Sequence, residues 1–270
     1  MGHGQADDAP VAVITGGASG IGYATARALA GQGYRLVLAD IETARLDNAV
    51  AELSRVVATV GQQCDVSDAE AVRAVAERTY DEFGRADVVF LNAGVVLRAA
   101  VADTTHDDWS WVLNVNLWGA INGVQAFLPR MLAAGKNGHL LFTASFAGLA
   151  ANRGFGAYCV SKYGVVALAE VLHRELRDTP IGVSVLCPMR VVSDIRASDR
   201  NRPEIFGGPP ASPKVDDPTA NMTGRVLPTD EVVEHVLAAI GTDRLYLIPH
   251  EESRAPIQRR FARIDAAFNA

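Results

Sequence analysis

The sequence is poor in cysteine, has no excess of positive charge and has no long apolar run. Each absence narrows what the chain can be. The three cysteines, Cys64, Cys159 and Cys187, are odd in number and widely spaced. That argues against a disulfide framework and points to a reducing cytoplasm. None belongs to a C-x-x-C pair, and the six histidines show no H-x-x-x-H spacing, so no metal site is expected. Lysine plus arginine number 25 against 31 acidic residues, a net charge of −6. Nothing in that balance is suited to neutralising a phosphate backbone, so nucleic-acid binding is not expected. No stretch approaches the roughly 18 apolar residues of a membrane span, so no membrane association is expected either. The first ten residues, MGHGQADDAP, hold two aspartates and no hydrophobic run. They are expected to form a flexible N-terminal arm and not a signal peptide.

What remains is a globular sequence of 270 residues, 49% apolar and 21% charged, long enough for one α/β domain with a full core. Short β-branched runs alternate with amphipathic stretches. VAVIT (11–15), YRLVLAD (34–40), the stretch ending at Cys64, ADVVFLN (86–92), HLLFTAS (139–145) and IGVSVLC (181–187) read as strands. Helical stripes fall between them at 20–30, 43–54, 67–84, 107–132 and 156–177. Ser67 and Glu70 have the spacing of a capping box. The continuous apolar run of 86–92 implies cover on both faces of the sheet. A further helix at 229–240 and a strand LYLI at 245–248 complete the pattern. This predicts a doubly wound, Rossmann-like parallel sheet of about seven strands in one domain spanning 11–250. Residues 194–228 hold six prolines and many charges with weak periodicity, as expected of a substrate loop or lid. The tail, 251–270, is expected to be helical.

The first strand runs into a glycine turn, TGGASGIG, from Thr15 to Gly22. A strand–glycine turn–helix unit suits a pyrophosphate: Gly16 permits the tight turn, Gly20 admits the ligand and Gly22 lets the helix pack closely. The spacing is G-x-x-x-G-x-G, and glycines at such a spacing arise by chance about once in five chains of this composition, so the context carries the argument. Strand two ends at Asp40, where a carboxylate can accept both adenosine ribose hydroxyls. Tyr158 and Lys162 lie four apart on one helical face. With six tyrosines and three lysines in the chain, a Y-x-x-x-K pair arises by chance in only about 0.07 of such chains. Lys162 sits among Ala157, Val165 and Val166, an expensive place for an unpaired ammonium. A snorkelling lysine is the structural alternative. In the functional reading the ammonium lowers the phenol pKa from its ordinary value of about 10, so that Tyr158 can trade a proton near neutrality. Ser145 ends a strand thirteen residues earlier, where ligands sit. Taken singly, Ser145, Asn92 and Asn116 are ordinary cap or turn residues.

Together these residues resemble the short-chain dehydrogenase/reductase superfamily from residue 11 to about 193. TGGASGIG is similar to its TGxxxGIG cofactor turn, Cys64-Asp65-Val66 to its D-V pair beside the adenine, and Asn92-Ala93-Gly94 to its NAG. Asn116, Ser145, Tyr158 and Lys162 fall on its catalytic tetrad. The resemblance implies that Tyr158 is the general acid/base and that Ser145 orients the carbinol or carbonyl oxygen. Lys162 would bind the nicotinamide ribose and lower the Tyr158 pKa, and Asn116 would hold a water of the proton relay. It further implies cofactor contacts from Gly16, Ser19, Gly20, Ile21, Gly22, Asp40, Ile41, Asp65, Val66, Asn92, Ala93, Gly94, Tyr158, Lys162, Pro188, Val191 and Ser193. The sequence departs from the family at CPMRVVSD, where Met189 and Ser193 replace the Gly and Thr of PGxVxT. The backbone path there is open, and Met189 could narrow or line the substrate pocket.

The activity implied is hydride transfer between NAD and a secondary alcohol or ketone. Pocket candidates are Val95, Val96, Phe146, Asn152, Arg153, Phe155, Met189 and 195–228, a mostly apolar set suggesting a hydrophobic substrate, cyclic or terpenoid among the options. NAD is favoured over NADP because Asp40 would face a 2′-phosphate, while the glycine turn offers no cation, Ile41 follows Asp40, and Arg45 is expected to point outward. Three alternatives stay open: an NADPH-dependent carbonyl reductase, an extended-type dehydratase or epimerase, and a non-catalytic dinucleotide-sensing regulator. The extended type needs a larger C-terminal domain than about 80 residues provide. The resemblance also suggests a homodimer or homotetramer through the helices at 107–132 and 156–177.

Overall fold

The computed structural model describes residues 8–209 and 224–269. Residues 1–7 of the expected arm and 210–223 of the expected lid lie outside the described residues. In chain order the main elements are β1 (Val11–Thr15), α1 (Gly20–Gly31), β2 (Arg35–Asp40), α2 (Thr43–Leu53), β3 (Thr59–Gln63), α3 (Ala69–Phe83), β4 (Val88–Leu91), α4 (His106–Leu113), α5 (Gly119–Ala134), β5 (Gly138–Thr143), α6 (Gly156–Glu175) and β6 (Ile181–Leu186). There follow β7 (Arg190–Val191), β8 (Val226–Leu227), α7 (Thr229–Leu237), β9 (Tyr246–Leu247) and α8 (Arg254–Ala266). Seven strands form one sheet in the order β3-β2-β1-β4-β5-β6-β9, every pair parallel. β7 and β8 pair with each other apart from it.

The pleat sends alternate side chains to opposite faces, and both faces are covered. Val11, Val13, Val37 and Val89 pack with Val72 and Val75 of α3, Phe127 of α5 and Val165 of α6. Ala12, Ile14, Leu36 and Phe90 face Leu29 of α1, Leu46 of α2 and Val232 of α7. Two apolar faces explain why the strands read as unbroken hydrophobic runs. The strand order reverses beside β1, with β2 on one side and β4 on the other. The crevice beyond the carboxyl ends of β1 and β4 is therefore the switch point where such sheets take ligands.

Two local expectations fail for identifiable reasons. Ser67 does not cap α3: its N–H and hydroxyl both donate to Asp65 Oδ1, at 2.9 and 2.7 Å. Asp68 caps instead, accepting from the Glu70 N–H at 2.9 Å. The single helix expected over 107–132 is interrupted at Asn114–Trp118 by a π-type turn. Its start carries a capping box that the sequence reading missed, with the Asp108 N–H donating to Thr105 Oγ1 at 3.2 Å and the Thr105 N–H to Asp108 Oδ2 at 2.9 Å. At the chain's start, Ala9 is fastened by two hydrogen bonds from the Arg35 guanidinium to its carbonyl, at 3.1 and 2.7 Å.

Candidate active site

The turn after β1 is built around glycine for steric reasons. Gly16 has φ +62°, and a Cβ there would lie 3.0 Å from the Ala93 Cα. A Cβ on Gly22 would come within 2.1 Å of the Gly16 carbonyl oxygen, so α1 can start this close to β1 only with glycine at that position. The ends of β1, β4 and β5 are stapled together by Asn92. Its Nδ2 donates to the carbonyls of Thr15 and Gly16 at 3.1 and 3.3 Å, and its Oδ1 accepts from the Thr143 hydroxyl at 3.0 Å. Asn92 thus shapes the floor of the crevice as well as lining it.

One half of the crevice is lined by Gly16, Ser19, Gly20, Ile21, Asp40, Ile41, Asp65, Val66, Asn92, Ala93 and Gly94, which brings together the expected cofactor residues of the first four strands. Gly22 lies beneath the turn. Asp40 is buried, with Oδ2 accepting from the Ala18 N–H at 3.0 Å and Oδ1 from the Glu42 N–H at 3.0 Å. Each oxygen keeps a lone pair for a further donor. Arg45 stays 40% exposed, and its guanidinium reaches Asp194 at 2.6 Å and Glu42 at 3.2 Å. Glu42 also receives the Arg200 guanidinium and Asn201 Nδ2, the latter at 3.0 Å. Burial pushes the Glu42 carboxyl up, but these donors outweigh it and hold it below its usual value. Arg45 and Arg200 are therefore both engaged by carboxylates of this chain.

The other half is a cavity of about 420 Å³ that shares Ile21, Asn92, Gly94, Thr143, Ser193 and Ile195 with the first. Ser145, Tyr158, Lys162, Pro188, Val191 and Ser193 line it. Ser145 is set by the end of β5; its hydroxyl faces the Pro188 carbonyl at 3.4 Å and accepts from the Ala147 N–H at 3.1 Å. Tyr158 and Lys162 project from the first turns of α6. Lys162 is only 2% exposed, and its Nζ donates to the Thr143 carbonyl at 2.8 Å. Burial lowers its pKa to about 8.

The structure corrects one expectation about charge. Burial pushes the Tyr158 phenol up to about 12, and the opposing hydrogen bond with Ser145 is weaker. In the protein without cofactor, loss of hydration dominates. Asn116 lies in the π-type turn rather than a regular helix, and is 2% exposed. Its Oδ1 accepts from the Val95 N–H at 2.7 Å, and its Nδ2 donates to the Val95 carbonyl at 2.9 Å and to Ser161 Oγ at 3.0 Å. Both amide hydrogens are engaged within the protein, so the Asn116 side chain clamps the exit of β4.

Of the pocket candidates, Val96, Phe146, Asn152, Phe155 and Met189 line the cavity that holds Ser145 and Tyr158, and Val95 lines the half that holds Asp40. Arg153 lines neither; it sits exposed on the turn before α6. The apolar picture is also incomplete, because Arg98, Arg190 and Arg196 line the cavity. Arg98 comes from a stretch remote in sequence from the one that carries Arg190 and Arg196. The corner at Met189 is held by His250: its Nδ1 accepts the Met189 N–H at 3.3 Å, and its Nε2 bonds the Arg190 carbonyl at 3.0 Å. Among the described residues there is no cluster of three or more potential metal ligands, and no helix is long and apolar enough to cross a membrane.

The family model of the short chain dehydrogenases matches residues 10–204. The C alpha-dehydrogenase of a Sphingobium species is 33% identical, across 94% of this chain and 85% of that protein. The 1-deoxy-11-beta-hydroxypentalenate dehydrogenase of Streptomyces avermitilis is 34% identical, across 93% of this chain and 88% of that protein. Among solved structures, a short chain dehydrogenase/reductase from Burkholderia phymatum in complex with NAD superposes with a TM-score of 0.90 at 34% identity, covering 97% of this chain and 96% of that one. The chain belongs to the short-chain dehydrogenase/reductase family and is an oxidoreductase.

Proposed function

We propose that the chain is an NAD-dependent dehydrogenase of a secondary alcohol, or equally a reductase of the matching ketone. The observation that carries this reading is one cavity in which the Ser145 and Tyr158 hydroxyls and the Lys162 ammonium meet at the carboxyl edge of the sheet. It is continuous with a groove ending on Asp40. The groove suits a dinucleotide: the Gly16 turn leaves no room for a Cβ, and the Asp40 carboxylate retains acceptor capacity. Gly16, Ser19, Gly20 and Ile21 would hold the pyrophosphate, Asp40 and Ile41 the adenosine ribose, and Asp65 and Val66 the adenine. Asn92, Ala93, Gly94, Pro188, Val191 and Ser193 would hold the nicotinamide half. When bound, NAD supplies the carbon that accepts or donates the hydride and, when oxidised, a positive ring charge.

Within this reading Tyr158 takes the carbinol proton on oxidation and returns it on reduction. Ser145 donates to the same oxygen and fixes its position. Lys162 binds the nicotinamide ribose and adds positive charge behind the phenol. Asn116 positions Val95 and Ser161, which sets where Lys162 can lie. The phenol must ionise more easily once the bound cofactor brings positive charge, because burial alone favours its neutral form. NAD rather than NADP follows from Asp40 and from the engagement of Arg45 and Arg200 by Asp194 and Glu42. The exposed apolar side chains Trp118 before α5, Leu132 on α5, and Val160 and Val171 on α6 support association of like chains through α5 and α6.

The test is to mix the protein with NAD or NADP and a panel of secondary alcohols at alkaline pH, following absorbance at 340 nm. Turnover with NAD supports the proposal. Tight NAD binding without turnover of any alcohol supports a dinucleotide sensor instead.

A further inference from the structure

We propose that His250 is a positioning residue of the reaction: from outside the cavity it fixes the backbone wall that faces Ser145 and carries the nicotinamide half of the cofactor. This rests on the dehydrogenase reading and adds a residue to it. Six consecutive residues, 188–193, line the cavity that holds Ser145 and Tyr158. Pro188, Val191 and Ser193 of the proposed nicotinamide half are among them. The wall lies past the end of β6, and its only regular piece is the two-residue β7. Its course therefore depends on what grips its peptide groups. His250 follows β9, is 0% exposed and lines neither half of the crevice, so it touches neither cofactor nor substrate.

Both ring nitrogens are committed to that wall: Nδ1 accepts the Met189 N–H at 3.3 Å, and Nε2 meets the Arg190 carbonyl at 3.0 Å. An amide N–H only donates and a carbonyl only accepts, so the ring is neutral with its proton on Nε2. Burial favours the same neutral form. The ring's own backbone is anchored, because the His250 carbonyl receives the Ser253 hydroxyl at 2.6 Å and the Ser253 N–H at 3.1 Å. The link to the chemistry is the planar Pro188–Met189 peptide. His250 holds its N–H. Its carbonyl accepts the Phe146 N–H at 2.8 Å and faces the Ser145 hydroxyl at 3.4 Å. A rotation of this plane that freed the N–H would carry the carbonyl away from Ser145. The next plane but one, Arg190–Val191, is held through its carbonyl by Nε2, which fixes where Val191 lies. One imidazole thus sets two peptide planes, one beside Ser145 and one in the nicotinamide wall.

The test compares His250→Ala, which removes both bonds, with His250→Asn, which keeps an acceptor for the Met189 N–H, and His250→Gln, which keeps a donor for the Arg190 carbonyl. Two ligands separate the halves of the groove: NADH, followed by its fluorescence, and ADP-ribose, which lacks the nicotinamide, followed by calorimetry. In His250→Ala, NADH binding should weaken about tenfold while ADP-ribose binding stays within about twofold. With an alcohol that the wild type oxidises, kcat should fall at least about tenfold, since a misplacement of about 1 Å can cost about 100-fold. His250→Asn and His250→Gln should fall between wild type and His250→Ala. Equal weakening of NADH and ADP-ribose overturns the inference, because it reports general loss of structure. So does NADH affinity and kcat within about twofold of wild type in all three variants. If circular dichroism shows that His250→Ala does not fold, His250→Asn and His250→Gln decide on the same criteria. If the wild type oxidises no alcohol, the dehydrogenase reading is what fails, and the two binding constants then decide His250: selective loss of NADH affinity supports it, and an unchanged or parallel response overturns it.

Discussion

Lys162 Nζ lies 5.8 Å from the centroid of the Tyr158 ring and spends a hydrogen bond on the Thr143 carbonyl at 2.8 Å. Two groups one helical turn apart thus share one cavity, and burial moves each towards its uncharged form, Tyr158 up to about 12 and Lys162 down to about 8. Burial thus favours the neutral phenol in the protein without cofactor. Ultraviolet difference titration of wild type against Tyr158→Phe should show no Tyr158 phenolate below the ordinary value of about 10. In the presence of saturating NAD the same titration should move downward. A phenolate signal from Tyr158 near neutrality without cofactor would contradict this order of effects.

Asp40 should set cofactor choice. A 2′-phosphate would bring about −1.5 to −2 charges against its carboxylate, and Arg45 and Arg200 are already engaged by Asp194 and Glu42. The wild-type protein should prefer NAD by at least about 100-fold in kcat/KM, and Asp40→Ser should lower that ratio by about tenfold or more. Steady-state kinetics with both cofactors checks it; an unchanged ratio would show that Asp40 does not read the ribose.

Glu42 ties the segment after β7 to the cofactor groove through Arg200 and Asn201. Ser198 and Arg202 add anchors: Ser198 Oγ accepts from the Val96 N–H at 3.0 Å, and Arg202 pairs with Asp108 at 2.5 Å. We expect this segment to close over the bound ligands. Glu42→Ala should speed hydrogen exchange over 196–206 by about tenfold, since bonds to charged groups are worth about 1.5–3 kcal/mol. NAD plus substrate should slow exchange in the wild type. Equal exchange with and without ligands would leave this segment a static wall.

His139 should make the fold acid-sensitive. It is 1% exposed; its Nδ1 accepts the Gly241 N–H at 3.3 Å, and its Nε2 meets Ser184 Oγ at 3.0 Å. Ser184 gives its own proton to the Arg244 carbonyl, so the imidazole donates from Nε2 and is neutral. Burial lowers its pKa to about 4, from an ordinary 6.5. Below pH 6.5 the unfolded chain gains a proton that the folded chain refuses, so stability falls as pH drops from about 6.5 to 4. The loss amounts to roughly 3 kcal/mol. Urea denaturation at a series of pH values should show this loss reduced in His139→Gln. An identical pH profile in the variant would assign the loss to other groups.

The sheet and the Tyr158–Lys162 pair were legible because both depend on short-range pattern: unbroken β-branched apolar runs for the strands, and a four-residue spacing along α6. Asp40 and the Gly16 turn were legible from their place at strand ends. The π-type turn at Asn116 was not, since one slipped hydrogen bond leaves the apolar stripe almost unaltered. Ser67 misled because its hydroxyl had two candidate uses, and Asp65, two residues back, was the nearer. Arg153 and Arg98 show the limit most plainly. Both are arginines in loops, yet one is exposed and one lines the cavity, and only the packing of Phe155 and β7 around the cavity decides between them.

The central claim is that Tyr158 carries the proton of an NAD-linked oxidation, and Tyr158→Phe tests it most directly. The substitution removes one oxygen and keeps the ring that packs 6.3 Å from Phe155. With an alcohol that the wild type oxidises, kcat should fall by about 10²–10⁴, while the NAD dissociation constant stays within a few-fold. A kcat that survives within about tenfold, a barrier change of about 1.4 kcal/mol, would contradict the assignment of Tyr158 as the general acid/base.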